Sequence, residues 1–270
     1  PTSTWLEKTT MTKATKAKPA EWGNFKPASD TTPLRLIWRS YGPEKTGKNH
    51  FGYTAPGPIA VQSFDIGLEG VLEKFLRGDE VPQREIRVVE YEFDKENCSQ
   101  EAAIELRDQF VEDFEIALKR ARTIQWDTET EVWELFRYAE FGKASDAPRT
   151  YVELNTRYRD LIQRAFDANV NVQVIQKVKE RWVSVEGVDE NGRKKMKPHN
   201  TGEMEPVGFK EAGYIVQVNL QHSWTKERGF IVKVLNCRQN MGIAGDEFEN
   251  VDFPTLAQLV FPESTEEDWQ

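Results

Sequence analysis

A glycine-rich loop directly behind an apolar segment is the feature that most constrains the fold of this chain. Residues 34–38 are the apolar run L-R-L-I-W, and residues 42–49 then read G-P-E-K-T-G-K-N. In a strand followed by G-x-x-x-x-G-K, the glycines let backbone N–H groups surround phosphates and the lysine reaches the β- and γ-oxygens. The pattern predicts a nucleotide-binding loop, with a Gly- and Lys-rich surface turn as the alternative. The residues expected to contact the nucleotide are Gly42, Pro43, Glu44, Lys45, Thr46, Gly47, Lys48, Asn49 and His50.

The residue after the loop lysine departs from that pattern. A Ser or Thr hydroxyl usually ligates Mg²⁺ at this position, and here the residue is Asn49. The amide oxygen of Asn is a neutral metal ligand, but the side chain is longer, so the metal would be displaced or held through water. Each ~1.4 kcal/mol of lost transition-state stabilisation slows a reaction about tenfold. We therefore expect ATP and Mg²⁺ binding through Lys48 and the loop backbone, and weak hydrolysis.

Composition excludes several classes of protein. The 270 residues are 38% hydrophobic and 11% aromatic, which suits one large α/β domain or two small ones. No stretch approaches the roughly 18 apolar residues of a membrane span, and no apolar signal segment begins the chain. Two cysteines and three scattered histidines give neither a disulfide framework nor zinc spacing. We expect a cytoplasmic protein, and the net charge of −9 requires any DNA site to be a local basic patch.

The order of the periodic segments predicts the architecture. Strand-like runs alternate with helical spacing, which is typical of a mainly parallel sheet covered by helices on both faces. The later segments resemble strands joined by hairpins, with a turn at residues 189–192 and a last helix at 253–260. We expect a flexible basic arm at 1–32, one domain at 33–262 and an acidic tail at 263–270 that is disordered or competes with DNA. Strands are expected at 34–38, 59–64, 84–93, 123–126, 170–175, 177–185, 213–220 and 229–235, and helices at 99–122, 129–138 and 151–168.

Four polar residues follow predicted strands where a nucleotide would lie. Asp127 ends the segment at 123–126 and is a candidate to hold Mg²⁺ through its water shell, or it caps the next helix. Asp65 and Glu69 follow the second strand and are candidates to orient the attacking water, although Asp65 also suits a turn before Gly67. Gln176 is a candidate sensor of the γ-phosphate, or an ordinary polar residue at a strand end.

Basic residues mixed with aromatic residues indicate where DNA would bind. Cations that contact phosphates and rings that stack on bases together suit a single-strand groove. Acidic residues such as Glu180 and Glu186 dilute the first segment, so a solvated hairpin is the alternative. Residues 222–228, H-S-W-T-K-E-R, repeat the theme on a smaller scale. The candidate DNA contacts are Lys177, Lys179, Arg181, Trp182, Arg193, Lys194, Lys195 and Lys197.

Five segments together form a recognisable pattern: GPEKTGKNHFGYTAPGPIAVQSFDIGLEG, TIQWDTETEVWELFRYAE, VIQKVKERW, PVGFKEAGYIVQV and LNCRQNMGIAGDEFE. This pattern resembles the phage nucleotide-binding proteins with a RecA-like AAA-type P-loop domain, a group that includes single-strand annealing and recombination ATPases. The resemblance covers about residues 33–262. It implies a RecA-like P-loop NTPase core with ATP and Mg²⁺, ring or filament assembly, and action on single-stranded DNA. It places the loop lysine at Lys48, the strand-end aspartate at Asp127 and the base preferentially at Asp65. If the protein is phage-encoded, as the resemblance implies, it is expected in the host cytoplasm.

Three functions follow as hypotheses. The first is an ATP-binding protein that binds single-stranded DNA and promotes annealing or homologous recombination, with weak or DNA-stimulated hydrolysis. In a homo-oligomer, Lys233 or Arg238 would contact a phosphate on a neighbouring subunit, and a single-strand-binding protein is a candidate partner. The second is a catalytically silent P-loop module of phage replication, favoured by Asn49. The third is a small-molecule enzyme such as a nucleotide kinase, although no lid or acceptor-binding motif is evident.

Overall fold

Two sheets organise the part of the chain that the computed structural model describes, which comprises residues 34–65, 70–77, 83–144, 151–188 and 194–269. Eight strands form the central sheet, and β6 and β7 pair separately as a two-stranded ribbon. The central sheet has the order β10-β9-β8-β1-β5-β4-β2-β3. The strands are β1 (Ile37–Tyr41), β2 (Ile59–Ser63), β3 (Ile86–Glu90), β4 (Thr123–Asp127), β5 (Asn171–Gln176), β6 (Val178–Val188), β7 (Lys194–Pro206), β8 (Val218–Thr225), β9 (Gly229–Cys237) and β10 (Glu247–Glu249).

The central sheet is mostly parallel, as predicted. Strand β1 pairs in parallel with both β5 and β8, and the parallel set continues through β4 and β2 to β3. The sheet becomes antiparallel where β9 pairs with β8 and β10 pairs with β9. The predicted C-terminal hairpins therefore take two forms, because β8 and β9 extend the central sheet whereas β6 and β7 leave it.

Helices cover both faces of this sheet. Successive side chains at the start of β1 point to opposite faces of the sheet. Ile37 lies in one apolar core, and Leu36 and Trp38 lie in the other. Helices α3, α4 and α5 contribute to the first core, and α1 and α7 contribute to the second. The helices are α1 (Lys48–Tyr53), α2 (Leu72–Arg77), α3 (Gln100–Arg120), α4 (Glu129–Phe141), α5 (Tyr151–Ala168), α6 (Ala212–Ile215) and α7 (Phe253–Val260).

The longest helix shows how the sequence specifies these elements. Ser99 caps α3 by accepting the N–H of Ala102 at 3.1 Å, which satisfies a backbone donor that has no partner inside the helix. Phe110 and Phe114 are fully buried at the i, i+4 spacing of one helix face. Burial of one such side chain contributes ~1.5–3 kcal/mol to folding. Capping and spacing therefore both predict this helix, and it forms where expected.

Two segments differ from the predictions. The segment at 213–220 was expected to be one strand, but Gly213 and Tyr214 belong to α6 and β8 begins at Val218. The partly buried Arg39 guanidinium lies close to Gly213, where a side chain on that residue would collide with it. The first strand lies at Ile37–Tyr41, three residues later than expected, so it leads directly into the glycine-rich loop.

The acidic segment at the end of the chain is also folded, contrary to the expectation of a disordered tail. Trp269 is buried, stacks on Phe261 at 5.4 Å between ring centroids, and donates its indole N–H to Ser264 at 2.8 Å. The compact unit that begins at Leu34 therefore continues beyond residue 262. The predicted basic arm at 1–32 lies outside the described residues.

Within the described residues, no helix combines the length and the apolar character that a membrane span requires.

Candidate functional site

The glycine-rich loop lies between β1 and α1, at the carboxyl end of the central sheet. Two of its glycines have the backbone conformations that favour glycine, with φ of 151° at Gly42 and 82° at Gly47. A Cβ at Gly42 would collide with the carbonyl oxygen of His222 in the neighbouring β8, and one at Gly47 would lie 2.8 Å from the ring of Phe230. Within the loop, the Thr46 hydroxyl donates to the carbonyl of Pro43 at 2.8 Å. Close packing against β8 and β9 therefore requires both glycines of the motif.

Lys48 is held against the backbone of its own loop. Its ammonium donates to the carbonyl oxygens of Gly42 at 2.9 Å and Pro43 at 2.6 Å. Burial lowers the pKa of Lys48, whereas the nearby charges of Asp127, Glu44 and Asp65 act in the opposite direction. The loop thus holds a partly desolvated cation within electrostatic reach of three carboxylates.

Asn49 joins this loop to the end of β4. Its side-chain nitrogen donates to Oδ2 of Asp127 at 2.8 Å, and its oxygen accepts a longer bond from Gln125 at 3.3 Å. Gln125, which interrupts the apolar pattern of β4, therefore lies beneath α1. The amide hydrogens of Asn49 face the carboxylate, so Asn49 would act as a metal ligand only after its amide turned. Its predicted metal role stays a prediction.

Asp127 is a buried carboxylate whose negative charge is only partly stabilised by its neighbours. Only 2% of its surface is exposed. Burial raises its pKa to about 6, the Asn49 hydrogen bond and Lys48 oppose that rise, and the charges of Asp65 and Glu131 add to it. A buried anion in this state would be stabilised by a cation, since coordination replaces lost hydration.

Asp65 follows β2 at the same edge of the sheet. Its backbone N–H and carbonyl both contact the Ser63 hydroxyl, and Ser63 is the register partner of Asp127 in the β2–β4 ladder. The Asp65 side chain is exposed, as a residue that meets a ligand and water would be. Glu69, the other candidate base, lies outside the described residues. The choice between them stays a prediction.

Gln176 ends β5 in a buried polar network rather than beside the loop lysine. Its side-chain nitrogen donates to Glu129 at 2.7 Å and to the carbonyl of Phe209 at 3.3 Å, and its oxygen accepts from Arg39 at 3.4 Å. These contacts face the segment that follows β7. Its predicted role as a phosphate sensor stays a prediction.

Glu129 is the residue of this region that the sequence did not single out. It is fully buried and accepts hydrogen bonds from the Tyr158 hydroxyl at 3.0 Å, the Phe209 N–H at 3.2 Å and Gln176 at 2.7 Å. Burial raises its pKa to about 7 despite these donors and the charge of Arg39. An acidic residue in the first turn of a helix is common, so its sequence position gave no signal of burial.

The β6–β7 ribbon divides the predicted DNA contacts between its two faces. Trp182 pairs across the ribbon with Asn200, whereas Val185 pairs with Lys197 and Gly187 pairs with Lys195. Paired residues share a face and successive residues alternate. Trp182 therefore lies on one face, and Lys195 and Lys197 lie on the other. The arrangement predicted from sequence, with the ring and these lysines in one groove, is not formed by the ribbon alone.

The candidate basic residues also differ in whether they form ion pairs with carboxylates. Across the described residues, Lys195 and Lys197 have no ion-pair partner, and Arg193 lies outside the description. Four other candidates have carboxylate partners: Lys177 with Glu131, Lys179 with Glu205 at 3.3 Å, Arg181 with Glu203 at 2.6 Å, and Lys194 with Glu186 at 3.3 Å. The cations best placed for an external anion are Lys195 and Lys197.

The segment at 222–228, predicted as a second DNA loop, is mainly the end of β8. His222 is buried in that strand, where its ring nitrogen lies 3.0 Å from the Ser40 hydroxyl. Only residues 226–228 form the turn before β9, and Arg228 pairs there with Glu247 and Glu249. Trp224 is half exposed and remains a candidate for stacking.

The two candidate trans-acting cations lie at β9. Lys233 contacts Glu247 at 3.5 Å. Arg238 follows the strand and donates to the carbonyl of Tyr214 at 2.8 Å. Both have partners within their own chain, so a trans contact would require exchange of those partners and stays a prediction.

Comparison with known proteins adds no identification: no protein-family model matches the chain, and no curated protein matches it.

Proposed function

We propose that this chain is a RecA-like P-loop protein that binds ATP with Mg²⁺ and single-stranded DNA and promotes annealing or recombination. The observation that carries the proposal is the Asn49–Asp127 hydrogen bond beside Lys48. It joins the glycine-rich loop after β1 to the carboxylate that ends β4. In open α/β sheets, ligands bind at the carboxyl ends of the strands, where this loop and this carboxylate lie.

The residues present fit a magnesium ion. Asp127 would hold it, because its buried carboxylate has a raised pKa of about 6 and gains from a neighbouring cation. Magnesium would neutralise phosphate charge when bound. The loop backbone and Lys48 would hold the phosphates, and Asp65 would orient the attacking water. Asn49 offers amide hydrogens where a hydroxyl is usual, so weak turnover is the expected consequence.

The DNA contact is assigned to one face of the β6–β7 ribbon. Lys195 and Lys197 lie together on that face with no described carboxylate partner, so they are available to phosphates of a single strand. Oligomerisation into a ring or filament, contacts by Lys233 and Arg238 across subunits, and cooperation with a single-strand-binding protein belong to the same proposal.

ATP turnover and DNA binding, measured in the same samples, test this proposal. Wild type, Lys48→Ala and Asp127→Asn are compared with Lys119→Ala, an exposed lysine at the end of α3 that serves as the charge-matched control. We expect ATP and fluorescent single-stranded DNA to bind to wild type and the control. Lys48→Ala should lose at least tenfold in ATP affinity, and Asp127→Asn should lose the magnesium dependence.

The outcomes separate the rival functions. DNA-stimulated turnover that Lys48→Ala abolishes supports a recombination-type ATPase. Nucleotide and DNA binding without turnover supports a gated binder, and nucleotide binding without DNA binding supports the silent P-loop module that Asn49 favours. Phosphate transfer to a nucleotide acceptor without DNA binding would replace the proposal with a kinase.

A further inference from the structure

Three consecutive residues at the start of α4 hold both ends of the β6–β7 ribbon. They are Glu129, Thr130 and Glu131, which we call the α4 clamp. The clamp begins two residues after Asp127, the carboxylate that contacts the glycine-rich loop through Asn49. The ribbon is the candidate DNA site, so the clamp lies between the two sites.

The incoming end of the ribbon, where the chain enters β6, is held at Lys177. Its backbone N–H donates to the Thr130 hydroxyl oxygen at 2.9 Å, and its ammonium pairs with Glu131. The charges of Asp65 and Asp127 also act on Lys177, so this end of the ribbon lies within electrostatic reach of the candidate nucleotide site.

The outgoing end of the ribbon, where the chain leaves β7, is held at Val207 and Phe209. The Thr130 hydroxyl donates to the carbonyl of Val207 at 2.7 Å, and Glu129 accepts the N–H of Phe209 at 3.2 Å. The two ends also bond each other, because the N–H of Val207 donates to the carbonyl of Lys177 at 2.8 Å. A single hydroxyl, that of Thr130, therefore bridges both ends of the ribbon.

The clamp is also linked to the residue that follows Asp127. The Thr128 hydroxyl bonds the Glu131 carboxylate, and the charge of Glu131 acts on Asp127. A cavity of about 1030 Å³ lies beside the clamp, lined in part by Trp133, Glu134 and Val207. That open volume leaves room for the outgoing end of the ribbon to shift when the first turn of α4 moves.

We propose that the α4 clamp couples nucleotide binding at the loop to the DNA affinity of the ribbon, with Thr130 as the positioning residue. This inference rests on the proposed function. A ligand that changes the environment of Asp127 displaces the first turn of α4, and Thr130 passes that displacement to Lys177 and Val207 together. Coupling between two sites requires one element that both ligands bias, and the clamp contacts both.

Substitution of Thr130 tests the coupling, because it alters neither the glycine-rich loop nor the lysine face of the ribbon. Thr130→Val keeps the shape and removes both hydroxyl bonds, and Thr130→Ser restores them. Thr156→Val is the matched control, since the Thr156 hydroxyl bonds only the Val152 carbonyl within α5 among the described contacts. For each protein, the dissociation constant of fluorescent single-stranded DNA is measured with and without a non-hydrolysable ATP analogue, and that of the analogue is measured alone.

In wild type, Thr130→Ser and Thr156→Val, we expect the analogue to tighten DNA binding at least fivefold. In Thr130→Val, that ratio should fall below twofold while the separate affinities for the analogue and for DNA change less than twofold. A merely structural role would lower the separate affinities as well. Two results would overturn the inference. One is a ratio in Thr130→Val that equals the wild-type ratio. The other is a wild-type protein that binds both ligands without any effect of one on the other, and this result leaves the proposed function intact. Failure of wild type to bind either ligand would instead contradict the proposed function itself.

Discussion

Asn49 donates an amide hydrogen to the Asp127 carboxylate over 2.8 Å, which joins the first turn of α1 to the end of β4. Asn49 provides the side-chain hydrogen bond that stabilises the charge on this buried carboxylate. In a loop with Ser or Thr here, a hydroxyl bonds the carboxylate and still offers an oxygen to magnesium. The Asn49 amide instead directs its hydrogens at Asp127 and its oxygen at Gln125.

Replacement of Asn49 by threonine should therefore increase catalysis. We expect Asn49→Thr to raise the magnesium-dependent kcat of ATP hydrolysis at least tenfold, because the shorter hydroxyl can contact metal and Asp127 together. A tenfold gain corresponds to about 1.4 kcal/mol of transition-state stabilisation. The double variant with Lys48→Ala is the control for contaminating activity and should be inactive. Unchanged turnover in Asn49→Thr would show that Asn49 does not limit hydrolysis.

The unpaired and the paired cations of the ribbon should contribute unequally to DNA binding. We expect Lys195→Ala/Lys197→Ala to weaken single-stranded DNA binding more than Lys179→Ala/Arg181→Ala does. Both double variants remove two positive charges, but Lys179 and Arg181 are already paired with carboxylates. Loss of two phosphate contacts should reduce the slope of log K against log salt by about 1.4. Anisotropy titrations from about 50 to about 300 mM salt measure both quantities, and equal losses would contradict the assignment of the DNA contact to the unpaired Lys195 and Lys197.

Local patterns were sufficient to predict most elements of the fold. Helix α5 occupies the predicted residues 151–168, because its apolar residues recur at helical spacing and pack on the sheet. Strand β3, predicted within 84–93, lies at the edge of the central sheet, with β2 as its neighbour among the described strands. Such elements are specified by residues close together in the chain.

The parts that sequence reasoning missed depend on distant partners. Glu129 is buried through contacts with Tyr158, Gln176 and Phe209, which lie 29, 47 and 80 residues away in the chain. Trp269 belongs to the core although acidic residues surround it in sequence. The opposite faces of Trp182 and Lys197 follow from register across the ribbon, which composition does not specify.

Stability should respond to pH through His222. Burial lowers the pKa of His222 to about 3, whereas an unfolded chain binds the proton below about 6.5. Between these values the unfolded state binds more protons, so this residue's contribution to stability is present at neutral pH and is lost as pH falls. At pH 5 the loss is about 2 kcal/mol.

Urea unfolding at about pH 7.5 and about pH 5.0 measures this loss of stability. The two conditions lie on either side of the unperturbed histidine pKa of about 6.5. In His222→Gln, the decrease in unfolding free energy between the two conditions should be smaller than in wild type by about 2 kcal/mol. His199→Gln, an exposed substitution on β7, is the matched control and should retain the wild-type decrease. The same decrease in His222→Gln as in wild type would show that His222 does not carry this dependence.

Removal of the Trp269 side chain should destabilise the whole domain. The indole is 1% exposed, stacks on Phe261 and contacts Phe253 at 5.9 Å, so Trp269→Ala leaves a cavity beside α7. Such large-to-small changes cost about 3–5 kcal/mol, which lowers the melting temperature by roughly 6–20 °C for a domain of this size. Trp224→Ala removes an indole that is 53% exposed and should cost less than about 1 kcal/mol. Calorimetry of both variants measures the difference. Equal melting temperatures would mean that the acidic C-terminal segment contributes nothing to the core, whereas a large loss confined to Trp269→Ala would establish it as part of the folded domain.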